Sequence, residues 1–151
     1  MRNGTSRGCA QRKNEGGRTN FHRNAPFQFG GGGTQGVPTE VRAVTLAGGD
    51  VYAGGSFDDI AGDTDLRGIA RWDRSSQTWM PLGRGLVPVG SMGVYDLAAR
   101  GTDLYVCGRF NEVYNPNGTK VAAKNLAKWD GTTWSAVADL PSRCDRVAVD
   151  R

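Results

Sequence analysis

Histidine is nearly absent from this chain: His22 is the one copy in 151 residues. A Ser-His-Asp or Cys-His arrangement would have to borrow it. No apolar run approaches the roughly 20 residues that a membrane-spanning helix needs. The first residues also lack the apolar centre of a secretory signal. Helical periodicity is missing, because no window sustains apolar residues at i, i+3, i+4 and i+7. Cysteine is scarce and odd in number. Cys9, Cys107 and Cys144 have no metal-ligand spacing, and three thiols argue against a disulfide framework. Cys107, between Val106 and Gly108, is expected to be a small buried apolar residue. The glycine run Gly30–Gly33 lacks the GxxxxGK[ST] spacing that cradles phosphate and reads as a flexible turn.

What the chain has is a repeat. Val51–Phe57 reads VYAGGSF, and Leu104–Phe110 reads LYVCGRF. Ile69–Asp73 reads IARWD, and Leu126–Asp130 reads LAKWD. A second tryptophan follows each, Trp79 and Trp134. One constant offset carries Gly30 to Gly83, Val41 to Val94, Val44 to Leu97, Tyr52 to Tyr105 and Phe57 to Phe110. The offset then grows, because the second copy has extra residues around Asn115–Thr119, and it shrinks again before Trp134. Length changes confined to turn-like segments are what a structural repeat tolerates.

Each copy reads as four short strands. The predicted set is 41–46, 51–55, 68–72 and 79–82 in the first copy. In the second it is 94–99, 104–108, 125–129 and 134–137. Gly48-Gly49-Asp50 and Gly101-Thr102-Asp103 are turn sequences. Asp130-Gly131 favours a tight hairpin turn. Trp72 with Trp79, and Trp129 with Trp134, become cross-strand aromatic neighbours. With 23 glycines breaking the chain into short segments, the fold class is all-β.

The repeats resemble kelch-type blades, as in the central domain of galactose-oxidase-like proteins, and related bacterial repeats with a GGxF … IAR signature. In that pattern Gly54 and Gly55 are the glycine pair, Trp72-Asp73 the aromatic with its aspartate, and Trp79 the later tryptophan. Gly108, Trp129, Asp130 and Trp134 match in the second copy, where Cys107 replaces the first glycine. The resemblance covers about residues 29–151 and implies a partial β-propeller. Its two four-stranded blades are 37–86 and 87–140. Leu140–Arg143 with Val147–Val149 reads as the start of a third blade at 141–151, and Phe29-Gly30 as the stub of a preceding one. Propellers need four or more blades. The expectation is therefore a piece of a longer propeller completed by missing blades, with self-association as the alternative. The family's copper is held by histidines and tyrosines. With no second histidine here, that chemistry is carried to no position.

The first 36 residues differ in kind. Arg2, Arg7, Arg12, Lys13, Arg18 and Arg23 face one acid, Glu15, whereas residues 37–151 are nearly neutral. The segment is expected to be a disordered basic Gly/Arg/Asn-rich tail. Asp58, Asp59, Asp63 and Asp65 crowd one loop and are the candidate calcium ligands, set against a reading as ordinary solvated loop acids. Asn3-Gly4-Thr5 and Asn117-Gly118-Thr119 match glycosylation acceptors.

The leading functional expectation is a non-catalytic propeller segment, without a resident cofactor, that presents loops to a protein or glycan partner. An extracellular or cell-surface setting is what the resemblance implies. One alternative is a scaffold fragment of an oxidase- or lyase-like propeller enzyme whose active site lies on other blades. Another is nucleic-acid binding through the basic tail.

Overall fold

A computed structural model describes residues 29–30, 40–60, 62–89 and 93–150. Most of the basic tail, His22, Cys9, Asn3 and Gly31–Gly33 lie outside the described residues. Among the described residues there is no α-helix; one 3-10 turn spans Thr64–Leu66. Everything else regular is strand, and the protein is all-β.

The strands in chain order are β1 (Phe29–Gly30), β2 (Val41–Ala47), β3 (Asp50–Gly55), β4 (Asp59–Ile60), β5 (Ile69–Asp73), β6 (Thr78–Met80) and β7 (Leu86–Pro88). They continue with β8 (Val94–Arg100), β9 (Asp103–Gly108), β10 (Phe110–Tyr114), β11 (Lys120–Ala122), β12 (Leu126–Trp129) and β13 (Trp134–Ala136). β2, β3, β5 and β6 form one antiparallel four-stranded sheet in that order, and β8, β9, β12 and β13 form a second. These are the two sets of strands that the repeat predicts, with ends shifted by one or two residues.

The reason lies in the alternation. In the first sheet Tyr52, Ile69 and Ala47 point one way, into the main core. Ala70 and Trp79 point the other way, into a smaller cluster with Phe57, Ile60 and Leu66. Registers match as well: Val51 faces Trp72, and Leu104 faces Trp129. Trp72 faces Trp79, and Trp129 faces Trp134. Even the irregularities match, because β2 bulges between Val41 and Ala43, and β8 between Val94 and Asp96. Bulges bend and twist a strand locally, so both sheets start with the same bend.

The sheets stack with β2 against β8. Their shared core holds Ala47, Tyr52 and Ile69 from the first sheet and Leu97, Leu104, Val106, Ala127, Trp129 and Trp134 from the second. The Trp134 indole N–H donates to the Leu82 carbonyl at 2.8 Å, a buried bond that ties the second sheet to the chain leaving the first.

Two features depart from expectation. The polar loop of the second copy is a hairpin, β10–β11, which recruits β7 into a three-stranded sheet. A two-stranded pair, β1 with β4, stands at the corresponding place in the first copy. The apolar residues responsible, Phe110 and Val113, are wholly buried. Separately, residues 143–150 carry no strand, although Val147–Val149 has strand composition. The segment runs as a strap across the end of the second sheet.

Candidate functional site

The glycines of the motif act through space rather than through unusual backbone angles. A Cβ at Gly55 would fall inside the van der Waals radius of the Glu40 carbonyl oxygen, and one at Gly108 inside that of the Gly93 carbonyl. The backbone bonds explain the approach. Ser56 N–H donates to Glu40 O at 2.9 Å, and Arg109 N–H to Gly93 O at 2.9 Å. Gly54 is required for a different reason, since its Cβ would strike the Val94 side chain of the second sheet.

Cys107 stands where Gly54 stands in the first copy, and here the sequence reading is corrected. Cys107 is buried, but it is bonded to Cys144, 37 residues on. An odd cysteine count excludes full pairing, not one pair. Nothing in the spacing marks the partner, because the strap brings Cys144 to this point only after the second sheet is complete. The Cys144 N–H donates to Gly108 O at 2.9 Å. Asn125 Nδ2 donates to Leu140 O at 3.0 Å and to Ser142 O at 2.8 Å, and Val147 N–H to Asp96 Oδ2 at 3.0 Å. Sequence reasoning missed Asn125. Its φ is 69°, matching 70° at Gly68, its counterpart in the first copy. Asparagine is among the few residues besides glycine that enter this region readily, so a Gly/Asn match just before the third strand was the available signal.

The motif aspartates close turns. Asp73 Oδ1 accepts from the N–H and hydroxyl of Ser75 and from Ser76 N–H. These bonds lower its pKa to about 2, the Ser75 hydroxyl contributing most. Asp130 accepts from the N–H and hydroxyl of both Thr132 and Thr133, and the Thr133 N–H leads in holding its carboxyl far below the usual range. Gly131, at φ 102°, makes the tight turn.

The four loop aspartates are not gathered. Asp59 Oδ1 accepts from Gly62 N–H at 2.9 Å, and Asp63 Oδ1 from Asp65 N–H at 3.0 Å. Asp58 faces Arg67 Nε at 3.9 Å, too far for a hydrogen bond. Among the described residues no group of three or more His, Cys, Asp or Glu side chains is arranged to hold a metal ion. Asn117, of the second acceptor sequence, is an exposed turn residue whose Oδ1 accepts from the N–H and hydroxyl of Thr119.

The bulges assemble a group that the sequence did not announce. Arg42 and Tyr95 are the two bulge residues, and the Arg42 guanidinium lies 5.0 Å from the centre of the Tyr95 ring. The strap adds Arg143, 5.9 Å from the same ring. Each arginine also meets a carboxylate at 2.8 Å, Arg42 with Glu40 and Arg143 with Asp145. Guanidinium planes beside an aromatic ring suit ligands with carboxylate, hydroxyl or ring faces. A second polar group lies on the β10–β11 hairpin, where Lys120 Nζ sits 3.2 Å from Glu112 and 5.6 Å from the Tyr114 ring centre.

No helix among the described residues is long and apolar enough to cross a membrane. Compared with known proteins, the chain matches no family model and no curated protein sequence.

Proposed function

We propose that the chain is a kelch-type β-propeller segment that works as a non-catalytic interaction module, taking a protein or glycan partner. The observation that carries the reading is the position-for-position repetition of two four-stranded sheets stacked first strand to first strand. Propellers repeat such sheets about an axis and bind through residues at strand ends and loops. The grouping of the bulge residues Arg42 and Tyr95 with Arg143 supports this reading. The Cys107–Cys144 bond suits an oxidising, extracellular or surface setting.

The test is binding of the purified chain to a panel of immobilised glycans, acidic peptides and DNA and RNA oligonucleotides, with Tyr95→Ala and Arg42→Ala beside it. Saturable binding that falls at least about tenfold in Tyr95→Ala, with the circular dichroism unchanged, is expected. Binding that instead survives both substitutions, disappears when residues 1–36 are removed and falls steeply with salt would replace this reading by nucleic-acid binding. No binding to any of these classes would overturn it.

A further inference from the structure

The strap lies on the second sheet with little of itself buried. Among residues 141–150, Cys144 alone is buried, Val147 and Val149 are half-buried and the others are exposed. Hydrogen bonds reach the strap from Asn125 Nδ2 to Ser142 O at 2.8 Å, from Cys144 N–H to Gly108 O at 2.9 Å and from Val147 N–H to Asp96 Oδ2 at 3.0 Å. Residues 143–150 add no strand pairing. Isolated hydrogen bonds on an exposed segment give way readily to bonds with water. The covalent bond from Cys144 to Cys107 is therefore the main restraint on this segment.

The residue next to that bond completes the aromatic group. Arg143 precedes Cys144, and its guanidinium lies 5.9 Å from the centre of the Tyr95 ring. Arg42 approaches the same ring at 5.0 Å, but it stands on β2 and is independent of the strap. The group thus has two parts with different anchors. Arg42 and Tyr95 are placed by the paired strands of the two sheets. Arg143 is placed by the strap, and its ion pair with Asp145 lies within the strap and moves with it. The two sulfurs are also unequally placed. Cys107 is wholly buried, whereas Cys144 is 9% exposed, so an incoming thiolate meets Cys144 first.

We propose that the Cys107–Cys144 bond is a redox latch on the Arg42–Tyr95–Arg143 group, and that the ligand it controls is a carboxylate-bearing glycan; this rests on the reading of that group as a binding site. Closed, the bond holds Arg143 at the Tyr95 ring. Open, it frees the strap and leaves Arg42 and Tyr95 alone. Each guanidinium has donors beyond those its own carboxylate partner takes, and a sugar ring can lie on the tyrosine face. The opening reagent is a dithiol, either a small molecule or a dithiol protein. Its thiolate attacks Cys144 Sγ to form a mixed disulfide, and Cys107 leaves as a thiolate that takes up a proton. The second thiol of the reagent then displaces Cys144, which is likewise protonated, and the reagent departs as its own disulfide. Two electrons and two protons have passed to the cysteines. The second sheet stays paired, because Leu104, Val106, Trp129 and Trp134 pack in the main core and not on the strap.

The experiment compares the oxidised chain with the chain held in excess dithiothreitol without denaturant, with alkylation reporting the thiols. Hydrogen exchange read by mass spectrometry should become at least about tenfold faster over residues 140–150 and stay unchanged over β9 and β12. Binding to immobilised oligogalacturonate should fall at least about fivefold on reduction. Oxidised Arg143→Ala should bind as weakly as the reduced parent chain, and reduction should weaken that variant no further. This equality separates the loss of Arg143 from general damage to the fold. A bond that resists dithiothreitol in the folded chain overturns the proposal, and so does a reduced strap that exchanges as slowly as before. A released strap with undiminished binding overturns it as well. An oxidised chain that binds the acidic peptides of the panel but not oligogalacturonate overturns the ligand assignment and leaves the interaction reading standing. No binding of any kind overturns the reading beneath it, while hydrogen exchange still decides whether the bond holds the strap.

Discussion

The two four-stranded sheets share strand order, register, bulge and turn chemistry, yet they are not held alike. The second sheet is packed beneath the first, with Trp129 and Trp134 in the main core. The first sheet has its counterparts, Trp72 and Trp79, half-buried beside a smaller cluster. The second sheet is also closed by the Cys107–Cys144 strap at the position where the first sheet has Gly54 against Val94. One local code therefore yields two energetic roles. The pattern of side chains sets the sheet, and the neighbour sets how much each side chain contributes.

The sharpest way to break the comparison is at the tryptophans. Trp134→Ala should cost about 3–5 kcal/mol, through lost packing and the abandoned Leu82 carbonyl. Trp79→Ala should cost about 1–2 kcal/mol, because it has less burial to lose. Urea unfolding of the two variants at one protein concentration checks this, and equal losses would erase the asymmetry.

The staple comes next. Cys107→Gly/Cys144→Ser gives the second copy the glycine of the first and removes a bridge across 37 residues. Loop-closure entropy sets the expected loss at about 2–4 kcal/mol. Limited proteolysis should then cut within residues 138–150, and resistance there would mean that the hydrogen bonds to Asn125, Gly108 and Asp96 secure the strap without the disulfide.

Gly55→Val and Gly108→Val should each cost about 1–3 kcal/mol, since a side chain must displace backbone rather than a flexible neighbour. The two values should agree within about 1 kcal/mol, because the obstructing carbonyl is equivalent in both copies. Melting temperatures unchanged from the parent chain would contradict the close-approach account.

The smallest effect separates the turn aspartates. Both carboxyls are held below the ordinary aspartate value of 3.8, so folding is favoured when they are ionised. That contribution is complete above about pH 5 and is lost as pH falls through the folded value. The gap in melting temperature between parent and Asp73→Ala should close by about pH 2. The gap for Asp130→Ala should persist to lower pH, because Asp130 keeps a fourth hydrogen bond. Gaps independent of pH from 5 to about 2 would refute the assignment.

Strand positions and tryptophan pairing were legible because period-two alternation and turn residues are local signals. The disulfide was not legible, since Cys144 reaches Cys107 only through the path of a strap without regular structure. The Arg42–Tyr95–Arg143 group was hidden for a related reason. Arg42 and Tyr95 sit at two bulges and Arg143 comes from the strap, and neither a bulge nor a strap leaves much trace in composition. The strand composition of Val147–Val149 misled in the opposite direction. Among the described residues no strand pairs with them, and propensity without a ladder partner does not make a strand.

Gly93 is wedged between copies: its own Cβ would strike the Gly55 carbonyl, and its carbonyl blocks any Cβ on Gly108. At this seam the chain meets itself as bare peptide, main chain on main chain. The approach of one sheet to the next is limited there by main-chain atoms rather than by a side chain. Side chains away from that seam can then differ between copies, as Val51 and Leu104 or Arg71 and Lys128 do, while the two sheets keep the same register and the same bulge.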